Sequence, residues 1–127
     1  AAGFAHKPEN SVDRAPPWEV DTPDEWRKAY FKSGESSHPR AQVHVRQAGR
    51  RNQRYALLFR DYLRANPDVR DAYGRFKLQA AELVGVMSHP SGTGPYLDLK
   101  DPFFDVVMLA AEQWARDTGW TEPAGRH

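Results

Sequence analysis

The sequence predicts an α+β fold: a small mixed or antiparallel sheet packed against three to four helices. Two patterns predict it. Arg40 to Gln47 alternate side by side, with Arg40, Gln42, His44 and Arg46 on one face and Ala41, Val43 and Val45 on the other, which is the period of a strand. Further on, apolar residues recur at helical spacing in three long stretches. The first has Tyr55, Leu58, Phe59, Tyr62 and Leu63, and the second has Val69, Ala72, Tyr73, Phe76, Ala80, Leu83 and Val84. Phe104, Val107, Met108, Ala111, Trp114 and Ala115 make the third.

Taken in order, Ala1-Ala2-Gly3 reads as the last turn of a helix leaving through glycine. Residues 5–21 carry three prolines, and Pro16-Pro17 rules out regular structure there. Thr22-Pro23-Asp24-Glu25 has the form of a capping box with Pro at the first helical position, and predicts a short helix bearing Trp26 and Tyr30. The chain then becomes extended. Ser33–Pro39 reads as a turn, pairing Ala29–Lys32 with Ala41–Gln47 as an antiparallel hairpin. The valine face of that hairpin needs covering, whereas its His44 and Arg46 face is either wet or turned to an anion. Gly49 closes the strand and Asn52 caps the next helix. Asn66-Pro67 ends that helix and starts another. Residues 85–95 read as a mobile loop, and Tyr96–Lys100 as about one turn. Asp101-Pro102 cap a last helix that Gly119 ends, with 122–127 a disordered tail.

With 127 residues, four Trp, five Tyr, six Phe and no Cys, the chain fits one domain with a real core and no disulfide scaffold. The lack of Cys also excludes thiolate metal sites and a cysteine nucleophile. No apolar run approaches the roughly 20 residues of a membrane span, and the beginning has no signal-peptide pattern. A cytoplasmic home and no membrane partner are the expectation. Net charge is only +1, yet Arg40, Arg46, Arg50, Arg51, Arg54, Arg60 and Arg64 crowd into 25 residues. That cluster is either a solvated helix face or an anion-binding surface. No recognised reading motif accompanies it, which argues against nucleic acid. Nor is there a nucleophile elbow.

Residues 42–77, QVHVRQAG followed by YALLFRDYLRANPDVRDAY and FK, resemble the GrpB family. The matching positions are His44, Phe59, Arg60, Asp61, Tyr62, Leu63, Arg64, Pro67, Tyr73, Lys77, Tyr96 and Lys100. Phe103-Phe104-Asp105 and the ARDTGW of 115–120 are similar to actinobacterial members, several of which are fused behind a dephospho-CoA kinase. The resemblance covers most of residues 23–120. It implies a nucleotidyltransferase-like fold. Members carry, upstream, a Gly-Ser motif and an Asp-containing strand that in working nucleotidyltransferases hold triphosphate and divalent metal. Neither is in this chain, which looks like the C-terminal two-thirds of such a domain. Residues 1–127 are therefore expected to form a single GrpB-like domain without its N-terminal part. Gln42 also stands where the family has the first His of a His-x-His strand, and glutamine cannot titrate.

The candidate anion- or nucleotide-binding residues are His44, Arg46, Arg60, Arg64, Lys77, Tyr96 and Lys100, with Asp61 and Tyr73 as structural residues. Each has a plainer reading. His44 can simply be hydrogen-bonded on a half-exposed sheet face. Asp61 and Arg64 can pair along the helix for a few tenths of a kcal/mol. Lys77 and Lys100 can lie on tyrosine. Arg46 beside His44 opposes a dication, so no metal site is expected here and no cofactor. Mg²⁺ with nucleotide belongs to the complete domain that the resemblance implies.

Three functions remain open. The first is a non-catalytic accessory or regulatory module linked to dephospho-CoA kinase, and the second a divergent nucleotidyltransferase-like enzyme. The third is a nucleotide- or RNA-binding module. Missing strands would expose a sheet edge, which predicts a homodimer or strand exchange.

Overall fold

The computed structural model describes the backbone of residues 3–19, 22–86 and 94–124, and the side chains of all of these except 84–86 and 94–97. The chain divides into two compact units, Ala1–Ala56 with Ala124–His127, and Leu57–Pro123. Helix α1 (Arg51–Ala65) carries the chain from the first into the second.

The first unit is built on an antiparallel sheet of β1 (Phe4–His6), β2 (Lys28–Ser33) and β3 (Gln42–Arg46), in that order across the sheet. Lys28 lies opposite Arg46, Tyr30 opposite His44 and Phe31 opposite Val43, so the expected antiparallel hairpin forms. β1 corrects the expectation that 1–21 is irregular. Phe4 pairs with Ser33 and His6 with Phe31, because the far side of β2 offers free backbone groups that must be satisfied. A single 3-10 turn over Pro8–Asn10 follows, while Pro16-Pro17 lies outside any element.

The capping-box sequence yields only one 3-10 turn, Pro23–Trp26, with no side-chain cap bond. Arg27 is already extended (φ −70°, ψ 145°). Tyr30 therefore sits on β2 rather than on a helix, and it is buried. Trp26, 3% exposed, meets the Tyr55 ring edge-on at 5.6 Å.

Between β3 and α1 the chain turns through Gly49, whose φ of +83° lies in the region glycine enters without strain. The Gly49 N–H donates to Gln53 Oε1 at 2.7 Å, and the Arg51 N–H to Glu25 Oε2 at 3.0 Å. Asn52 is not the cap. It lies inside α1, 2% exposed, with its amide turned to other work.

The second unit packs the rest of α1 with α2 (Pro67–Val86) and α3 (Gly94–Thr118). Its core is the expected stripes: Leu58, Tyr62, Tyr73, Ala80, Val107, Met108, Ala111 and Ala115 are buried. Phe104 stacks on Phe59, and Phe103 on Phe76, each with ring centroids 4.1 Å apart. Ala72 is exposed and Leu83 is 51% exposed, so the α2 stripe is narrower than its spacing suggested. At the α1–α2 junction the Arg70 N–H reaches the Asn66 carbonyl at 3.0 Å, while the Asn66 side chain turns back to the Tyr62 carbonyl.

Of the loop expected over 85–95, residues 85, 86, 94 and 95 are helical. Helix α2 runs through Val86 and α3 begins at Gly94, and residues 87–93 lie outside those described. Asp101-Pro102 does not start α3. Pro102 lies inside one continuous helix, and the next two residues, Phe103 and Phe104, stack on Phe76 and Phe59. Gly119 (φ +69°) does end it, and the Trp120 N–H closes on the Ala115 carbonyl at 3.0 Å, the pattern of a glycine-terminated helix. Residues 122–124 take no regular structure, and 125–127 are outside the described residues.

Candidate functional site

Cross-strand partners share a face, so the β2–β3 register gathers Lys28, Tyr30, His44 and Arg46 on one side of the sheet. Asp13 arrives there from the preceding segment. A bridge pairs Val12 with Arg27, the Asp13 N–H bonds the Trp26 carbonyl at 2.8 Å, and the Lys28 N–H bonds the Ser11 carbonyl at 2.9 Å. These main-chain bonds place the carboxylate over the face.

Asp13 then collects four donors. Lys28 Nζ reaches Oδ1 at 2.8 Å, Arg46 Nε reaches Oδ2 at 2.7 Å and Arg46 Nη2 reaches Oδ1 at 3.1 Å. Asn52 Nδ2 donates to Oδ2 at 3.1 Å and to the Arg27 carbonyl at 2.9 Å. The side chains of Asp13, Lys28 and Arg46 are only 15%, 10% and 25% exposed. Burial pushes the Asp13 carboxyl up, but the hydrogen bonds and charges of Arg46 and Lys28 outweigh it and hold it down at about 2.

His44 lies over this group, its ring 4.9 Å from that of Tyr30. Its Nδ1 is 3.1 Å from Lys28 Nζ. An ammonium can only donate, so Nδ1 accepts and the proton of the neutral ring sits on Nε2. Burial and then the Lys28 and Arg46 cations lower the His44 pKa, against a smaller opposing pull from Asp13. The face therefore offers a neutral imidazole donor and a guanidinium, with the Asp13 carboxylate already occupied by two cations.

This reverses one expectation. The valine face is not covered: Val43 is 41% and Val45 53% exposed, and Gln42 and His44 on the other face are exposed too. The face bearing His44 and Arg46 holds the buried Tyr30 and the Asp13 network. Charged side chains such as Lys28, Arg46 and Asp13 can be largely buried once they are paired and hydrogen-bonded.

The remaining candidates belong to the second unit. Arg60 Nε pairs with Asp61 Oδ1 at 2.8 Å, and Trp120 Nε1 donates to Asp61 Oδ2 at 3.0 Å. Asp61 thus ties the end of α3 to α1, and its ion pair is with Arg60 rather than with Arg64, the partner that the plainer reading offered. Burial raises the Asp61 pKa, but the bonds from Arg60 and Trp120 and the charges of Arg60 and Arg64 bring it below the usual value. Lys77 Nζ lies 5.5 Å from the Tyr73 ring, and Lys100 Nζ lies 5.2 Å from the Phe104 ring and 3.9 Å from Asp101. The two lysines thus lie on the aromatic rings between α2 and α3. The Tyr96 side chain is outside the described residues.

Asp13, Lys28 and Asn52 were not legible as site residues. Asp13 sits in a proline-flanked stretch, and its signal was only that a cationic strand face requires an acid somewhere. As for Mg²⁺, the donor set does not fit. Asp13 lies within 3.1 Å of two cations, which a dication would have to displace. Among the described residues no group of three His, Asp or Glu side chains is placed to hold a metal. None of the described helices is long and apolar enough to cross a membrane.

Comparison with known proteins adds relatives. Residues 1–109 match the family model described as GrpB protein. The chain is 38% identical over 98 residues to a protein named dephospho-CoA kinase from Mycobacterium leprae (strain TN), covering 77% of this chain and 22% of that one. It is 33% identical over 96 residues to a dephospho-CoA kinase of Mycobacterium tuberculosis H37Rv, with 75% and 22% covered. It is 30% identical over 89 residues to UPF0157 protein YqkA of Bacillus subtilis (strain 168), with 70% and 24% covered. The chain spans about a fifth to a quarter of the length of these relatives. No solved structure matches it.

Proposed function

Because this chain belongs to the GrpB family and aligns with part of proteins named dephospho-CoA kinase, we propose that it is a non-catalytic accessory domain that supports such a kinase in folding or regulation. One observation carries the reading. Two cations of the polar sheet face, Lys28 and Arg46, close on the internal carboxylate of Asp13. A face that turned over an anionic substrate needs donors aimed at the reacting group. Here they serve the fold.

The test is to co-express the chain with the kinase part of a relative and measure the kinase's soluble yield, melting temperature and turnover with and without it. A rise in stability or a change in turnover is expected. No change in any of the three overturns the proposal.

A second reading, a nucleotidyltransferase-like domain that binds a nucleotide phosphate, draws support from the surplus positive charge around His44, Arg46 and Lys28. Thermal shifts with ATP, CoA and Mg²⁺ separate the two. A bound ligand at 100 times its Kd adds about 2.7 kcal/mol, whereas the accessory reading expects a flat response.

A further inference from the structure

We draw no further inference here: the strongest candidate, the exposed apolar stripe of Leu99, Val106 and Leu109 along α3, carries nothing because nothing in the structure shows what covers it.

Discussion

Arg46 grips Asp13, 33 residues away in sequence, through two bonds: Nε to Oδ2 at 2.7 Å and Nη2 to Oδ1 at 3.1 Å. This fork ties the segment before the sheet to its last strand, and Lys28 and Asn52 close on the same carboxylate. Guanidinium suits the task because its planar donors match both carboxylate oxygens at once.

Asp13→Asn keeps the shape and removes the charge, leaving Lys28 and Arg46 largely buried with no counterion. Breaking such a group from one side costs about 3 kcal/mol. Urea unfolding should show that loss, with Asn52→Ala costing about 1–3 kcal/mol by stranding the Arg27 carbonyl. A loss below about 0.5 kcal/mol for Asp13→Asn would mean that the network does not hold the unit together.

The same carboxyl sets an acid limit. Its pKa falls from the usual 3.8 to about 2 on folding. A lowered acid stabilises the fold above its unfolded pKa and loses that contribution as pH drops through the folded one. About 2 kcal/mol should therefore disappear between pH 4 and 2. In Asp13→Asn the decline over that window should be shallower by the same amount. An unchanged slope would assign the acid sensitivity to other carboxylates.

His44 should titrate below the usual histidine value of 6.5, because burial and the Lys28 and Arg46 cations disfavour its charged form. Its unfolded form binds the proton more readily, so His44 contributes stability above pH 6.5 that is lost as pH falls. NMR titration of the ring should show the lowered pKa, and Lys28→Met should move it back up. A His44 that titrates at 6.5 in both proteins would contradict the bond between Lys28 Nζ and Nδ1.

In the helical unit, Leu58 is fully buried and Leu78 is 74% exposed. Leu58→Ala should cost 2–5 kcal/mol by opening a cavity, whereas Leu78→Ala should stay within about 0.5 kcal/mol. Equal losses would show that the α1 stripe does not face the core.

Pro102 interrupts the hydrogen-bond ladder of α3 from inside. Pro102→Ala restores an N–H and relieves a steric clash worth up to about 3 kcal/mol in a helix interior. A rise in melting temperature with unchanged circular dichroism is expected. A fall would show that the helix begins at Asp101 after all.

The sequence by itself determined the elements whose signals are local. The strand period of residues 41–47, the helical stripes through Leu58, Tyr73 and Met108, and the stop at Gly119 all come from geometry that repeats within a few residues. It also determined that β3 has two unlike faces. Which face carries a largely buried ion-pair network was decided only by the tertiary structure, because the answer depends on Asp13 arriving from 33 residues away. Asn52 and Pro102 follow the same logic. Both read as cap signals, yet distant partners override them: Asp13 and the Arg27 carbonyl for Asn52, and the rings against Phe103 and Phe104 for Pro102. Periodicity reports that a face is special, but pairing across the fold settles what it meets.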